Sequence, residues 1–142
     1  MSRFPHKIIV DTCFWYALYN PRELERHAQA RQKAHYLETS TILIPWPSLY
    51  ESVNSRFVKN TPAIKQFEML LAAQHFERIS DEPYRELALR AVFRTVETRS
   101  MALVDMVIRL ILEDINVRKH AFLTFNNKDF DDLCRKHQVE ML

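Results

Sequence analysis

Not one glycine occurs among the 142 residues of the chain. Glycine provides the tight turn and close backbone approach that a dinucleotide fingerprint or a phosphate-cradling P-loop requires. Both motifs are excluded, so any phosphate chemistry falls to side chains or to a metal ion. Cysteine is nearly as scarce. Cys13 and Cys134 are too few and too far apart for a zinc knuckle or a disulfide framework, and they read as ordinary reduced thiols. No apolar run approaches the ~20 residues of a membrane span. The opening "MSRFPHKIIVDT" has neither the apolar core nor the small-residue cleavage site of a signal peptide, so the expected location is the cytoplasm with no membrane partner. Excess charge is lacking too. Twenty Lys and Arg against 18 Asp and Glu leave a net charge of +2, which tolerates a nucleic-acid partner without requiring one.

What is present is a hydrophobic share of 47% beside 27% charged residues, the balance of a soluble globular chain of one domain spanning 1–142. "KIIV" (7–10), "TILIP" (41–45), "HFERIS" (75–80), "AFLTF" (121–125) and a terminal "QVEML" read as short strands. Helices are expected over 21–37, from Pro47 through "PSLYESVNSRFVKN", from Pro62, over "DEPYRELALRAVFRTVETRS" with Asp81 or Glu82 as cap, over 100–114, and over "KDFDDLCRKH". The segment 100–114 is apolar on nearly every side and reads as a buried helix. Strands alternating with helices predict an α/β fold with a parallel sheet covered on both faces.

In such sheets the functional crevice lies beyond the carboxyl ends of the strands, near the point where strand order reverses. Asp11 ends the first strand, Asn126 and Asp129 follow the strand at 121–125, and Glu51 lies early in the helix after the second strand. Each also has a structural reading. Asp11 can cap the helix begun by "CFWYAL". Ser48 and Glu51 form an S-x-x-E capping box, Asp129 can be an N-cap, and Asn126 a turn residue. Asp105 is harder to explain by structure alone, because it lies inside the apolar helix. Arg109, four residues on, is its available partner, but a buried ion pair adds little net stability. Converging carboxylates repel unless a cation neutralises them, and hard oxygen ligands suit Mg²⁺ or Mn²⁺.

These residues together resemble the PIN-domain family, and within it the VapC-type toxin ribonucleases. The resemblance spans essentially the whole chain and rests on "IIVDTCFWYALYNPRELERHAQA", "PSLYES", "SMALVDMVI" and "LTFNNKDF". It implies a five-stranded parallel sheet of order 3-2-1-4-5, a homodimer and a small antitoxin partner. It also implies Mg²⁺ or Mn²⁺ held by Asp11, Asp105 and Glu51, with the fourth acidic position at Asn126 or Asp129, and catalytic roles for Asp11, Glu51, Asp105 and Asp129. Thr12 and Thr124 take supporting roles beside Asn126. Met106 stands where the family often has Ala.

The implied activity is metal-dependent endoribonuclease cleavage of RNA phosphodiester bonds, by the toxin of a type II toxin-antitoxin pair. Arg94, Arg99 and Lys128 are candidates for holding RNA, against the alternative of a solvated helix face. Trp15, Tyr16 and Trp46 can stack on bases or fill core, while His27 and His35 read as structural or exposed. Haloacid dehalogenase-type phosphotransferases also place Asp after an apolar strand but need a second acid two residues on, where this chain has Cys13. The remaining rival is a PIN-like domain that binds RNA or a protein without cutting.

Overall fold

The computed structural model describes residues 6–142. Its sheet contains β1 (Lys7–Val10), β2 (Thr41–Pro45), β3 (Phe76–Ile79), β4 (Ala121–Leu123) and β5 (Glu140–Met141), all parallel, in the order β3-β2-β1-β4-β5. This is the architecture expected from the sequence. The helices are α1 (Thr12–Tyr19), α2 (Leu24–Lys33), α3 (Tyr36–Thr39), α4 (Trp46–Ser52), α5 (Thr61–Ala72), α6 (Arg85–Arg94), α7 (Leu103–Glu113) and α8 (Asp131–Lys136).

Successive strand residues point to opposite faces, and here both faces are covered. Ile8, Val10, Ile42, Ile44, Ala121 and Leu123 pack with Phe14, Trp15 and Ala17 of α1 and Phe67 of α5. Their neighbours Ile9, Leu43 and Phe122 pack with Ala88 of α6, Val107, Ile108, Ile111 and Leu112 of α7, and Leu133 of α8. That is why these strands read as unbroken apolar runs. β1 pairs with both β2 and β4, Ile8 lying between Ile42 and Ala121. The order of strands therefore reverses around the carboxyl end of β1, where Asp11 sits.

Several elements are shorter than their sequence pattern predicts. The expected helix over 21–37 breaks into a 3₁₀ turn at Pro21–Glu23, then α2, then α3, with Leu24 at φ 38°. Gln138, after α8, holds φ 56°, the left-handed conformation that glycine takes most easily at a helix end. A chain without glycine must place ordinary side chains at both positions, at a strain of about 1 kcal/mol or more each. The helix after β2 ends at Ser52, because the Asn54 side-chain oxygen accepts from the amides of Arg56 and Phe57 and turns the chain. β4 stops at Leu123 and β5 at Met141, α8 begins only at Asp131, and α6 begins at Arg85 without a cap from Asp81 or Glu82. Asp81 pairs with Arg85 instead, 2.9 Å apart. α7 begins at Leu103 rather than Ser100 and buries one face only, its first residue being 44% exposed.

Candidate metal centre

Asp11 leaves β1 in extended conformation and caps α1. Its Oδ1 accepts from the Thr12 amide (2.8 Å), and its Oδ2 accepts from the Thr124 hydroxyl (2.9 Å) and, more distantly, from the Cys13 thiol (3.5 Å). The carboxylate is buried, 4% exposed. Capping and site-building are thus not alternatives here, because one oxygen serves the helix and the other meets Thr124, just past the carboxyl end of β4, across the switch point. Burial pushes the Asp11 pKa up, against the lowering effect of the Thr124 and Thr12 hydrogen bonds, and the charge of Asp129 raises it further.

Glu51 reaches this group through Thr12, whose hydroxyl donates to its Oε1 at 2.9 Å. The expected capping box does not form. α4 starts two residues before Ser48, with Pro45 as N-cap, and the buried Ser48 hydroxyl has no hydrogen-bond partner among the described residues. Glu51 is therefore released from a structural task. Partial desolvation raises its pKa, the Thr12 hydrogen bond offsets part of that rise, and the charge of Asp11 adds a smaller increase.

Asp105 occupies the first turn of α7, not its middle, because the helix begins late. It is half-buried. The expected partner turns elsewhere: Arg109 makes two hydrogen bonds to Asp132 (2.9 and 2.8 Å) and a third to the carbonyl of Asp129 (2.7 Å). Among the described residues, no cation pairs with Asp105. Desolvation pushes its pKa up to about 6, and the charges of Asp11, Glu51 and Asp129 all push the same way.

Asp129 lies in the 3₁₀ turn Asn127–Asp129, outside α8, so it does not cap that helix. Its Oδ2 accepts from the Asn126 amide at 2.6 Å, while the Asn126 backbone N–H donates to Thr124 Oγ1 at 2.9 Å. Of the two candidates for the fourth position, Asp129 is the one whose charge acts on both Asp11 and Asp105. Asn126 steers it. Cys13 joins the same network as an acceptor for the Phe125 amide (3.3 Å), and burial followed by the charge of Asp11 holds its thiol up at about 11, as a neutral donor.

The four acids thus come from four separate segments and act on one another's charge at the carboxyl edge of the sheet. Among the described residues, no three Asp, Glu, His or Cys side chains converge closely enough to hold a metal ion as they stand. The chemistry of the donor set nevertheless suits a hard divalent cation. All of the candidate donor atoms are oxygens, and the charges acting on Asp105 among the described residues are all negative. The amino ends of α1 and α7, at Asp11 and Asp105, contribute only partial positive charge.

The basic candidates separate. Arg99 is committed, its guanidinium donating to the Lys128 carbonyl (3.2 Å) and pairing with Asp132 (3.6 Å). Arg94 and Lys128 are exposed. Sequence reasoning missed Arg26 and Lys33 of α2, which sit over the Phe125 ring at 5.8 and 5.4 Å, next to Thr124. Their seven-residue spacing on one helical face was the available signal. Trp15 is core at 1% exposed, while Tyr16 and Trp46 are 38% and 39% exposed. His27 bonds the Ala17 carbonyl (2.7 Å) and His35 that of Gln32 (2.9 Å), both structural contacts. Met106 is buried on the core face of α7. No helix is long and apolar enough to cross a membrane among the described residues.

Compared with protein-family models and with curated proteins, the chain matches none.

Proposed function

We propose that this protein is a metal-dependent endoribonuclease of the PIN kind, hydrolysing RNA phosphodiester bonds as the toxin of a type II toxin-antitoxin pair. The observation that carries the reading is Asp105. A helix-borne carboxylate whose pKa is pushed up to about 6, first by burial and then by three other carboxylates, and whose arginine is turned away, calls for a cation from outside the chain. Asp11, Glu51 and Asp105 would hold Mg²⁺ or Mn²⁺, with Asp129 as the fourth acid. When bound, the ion supplies positive charge that activates water and neutralises the leaving oxygen. Thr124 and the Thr12 amide keep Asp11 oriented, and Thr12 positions Glu51 through its hydroxyl. Asn126 holds Asp129 toward the group. Arg26 and Lys33 supply positive charge for the RNA backbone beside Phe125. A cytoplasmic homodimer restrained by a small antitoxin belongs to the same reading. Its inexpensive check is a neighbouring reading frame that encodes a small DNA-binding protein.

The purified protein is expected to cleave RNA with Mg²⁺ or Mn²⁺, to stop in EDTA, and to lose cleavage as Asp11→Asn or Asp105→Asn while staying folded. Unchanged cleavage by both variants would sink the reading. A second reading, an RNA- or protein-binding domain that does not cut, is favoured by one observation: the acids do not close into a ready metal cage. It requires binding that is insensitive to the same two substitutions.

A further inference from the structure

Beside Glu51 lies an open cleft of about 680 Å³, formed by the carboxyl half of α1, the turn at residues 20–23 and the loop at 54–60. Two of its lining residues, Tyr16 and Asn54, bond the backbone of Glu51. The Tyr16 hydroxyl donates to the Glu51 carbonyl at 2.6 Å and accepts from the Asn54 amide, which itself donates to the same carbonyl. We propose that this cleft holds one nucleotide of the RNA, next to the bond that is cut, and sets base preference there; the assignment rests on the ribonuclease reading above.

The lining has the chemistry of a nucleoside phosphate site. Arg22 and Arg56 both face the cleft, and neither is ion-paired among the described residues. Two unpaired guanidiniums on one cavity match a phosphate group bidentately, and they are spared the carboxylate neighbours that occupy Arg85, Arg99, Arg109 and Arg135. Glu23 is the one carboxylate in the lining. Tyr16 is 38% exposed and offers a ring face, and Phe57 is steadied edge-on against Tyr19 with centroids 5.5 Å apart. Aromatic faces of this kind stack on bases.

Asn20 and Asn60 use their side-chain oxygens on the amides of Arg22 (3.1 Å) and Ala63 (3.4 Å), which leaves their NH₂ groups as donors for base carbonyls and ring nitrogens. The volume falls within the range of small-ligand sites. An acidic peptide would satisfy the arginines but would leave the ring faces unused, so the nucleotide is the better fit.

The test is an amide NMR titration of the intact protein with each of the four nucleoside 5′-monophosphates, with inorganic phosphate and a tetraglutamate peptide as controls. Saturable shifts centred on residues 16–23 and 54–60 are expected, unequal among the four bases. The Arg22→Ala/Arg56→Ala double variant should weaken them about 10-fold or more. Asp105→Asn should retain the binding while losing cleavage. Absent shifts, equal shifts with inorganic phosphate, or preference for the peptide would overturn the assignment. Cleavage at the wild-type rate by the double variant would overturn it while leaving the nuclease reading intact. Nucleotide binding without divalent-dependent cleavage by the wild type would instead overturn the nuclease reading.

Discussion

Asp105 precedes Arg109 by one helical turn, yet the guanidinium turns away from it and clasps Asp132 with two hydrogen bonds. The two aspartates consequently meet opposite fates. Asp132 has Arg109 and Arg99 beside it, and the Arg109 hydrogen bonds hold its carboxyl well below the usual carboxylate range. Asp105 has only burial and three carboxylates, and is pushed up to about 6. Cations are not scarce in this chain, with 20 Lys and Arg. They are placed on the outer acids and withheld from the inner group. A fold selected for stability alone would have used Arg109 on Asp105. On the proposed reading, the repulsion left at Asp105 while pairs form next to it would be compensated by a bound cation.

The largest effect that separates the two aspartates is on RNA cleavage. Asp105→Asn is expected to lower the Mg²⁺-dependent rate by about 100-fold or more. Asp132→Asn, read in the same gel assay, should leave most of that rate. Equal losses would erase the distinction between inner and outer acids.

Folding stability should move in opposite directions. Arg109→Ala removes the bidentate pair and the hydrogen bond that anchors the Asp129 carbonyl, a cost of about 1–2 kcal/mol once the exposure of Asp132 is discounted. Asp105→Asn removes a desolvated charge and should raise the melting temperature of the metal-free protein. Differential scanning fluorimetry in EDTA at pH 7.5 checks both, and a drop in both variants would contradict the comparison.

Neutral hydroxyls stand in for cations on the inner side, which gives a finer test. Thr124→Val deletes the hydroxyl that donates to Asp11 Oδ2 in a site where Thr124 is 1% exposed. Loss of such an orienting bond typically costs about 10-fold in metal affinity or activity. Isothermal titration with Mn²⁺ should show that weakening, whereas Thr124→Ser, which keeps the hydroxyl, should restore most of the affinity.

Much of this arrangement was legible in the sequence, and the reasons differ by residue. Asp11 could be placed because an apolar β-branched run must be a buried strand, and the residue ending it must lie at the sheet edge. The two-sided packing of β1, β2 and β4 follows from runs without polar alternation, as Ile8, Ile9 and Val10 show. Asp105 stood out as a charge in an apolar stretch. What stayed hidden depends on tertiary geometry. The partner of Arg109 is set by where α8 lies against α7, not by the four-residue spacing to Asp105. The capping box at Ser48 and Glu51 is a valid local pattern that lost to a helix start at Trp46, and Leu24 breaks a segment whose composition is helical throughout. Arg22 and Arg56 are 34 positions apart and share a cleft through the tertiary fold, in which Tyr16 of α1 bonds the Glu51 carbonyl of α4.

The smallest effect concerns pH, and its sign follows from the raised value of Asp105. Near pH 5 the folded protein holds a proton on this residue that the unfolded chain, with an ordinary carboxylate, has largely released. Stability should thus fall as pH rises from about 4 through about 6 and then level off, the reverse of the paired Asp132, whose contribution persists above the ordinary carboxylate pKa and is lost only in strong acid. The informative quantity is the difference in melting temperature between wild type and Asp105→Asn at each pH, because contributions common to both chains cancel in it. That difference should be near zero at pH 4 and grow to about 1–2 °C in favour of the variant above pH 6.5, half-exposure keeping it modest. On the proposed reading Mn²⁺ would bind only the ionised group of acids, so adding it at pH 7.5 should stabilise the wild type past the variant, and at pH 4 should do nothing. A metal effect of equal size at both pH values would place the ion elsewhere and remove the contrast between the two aspartates.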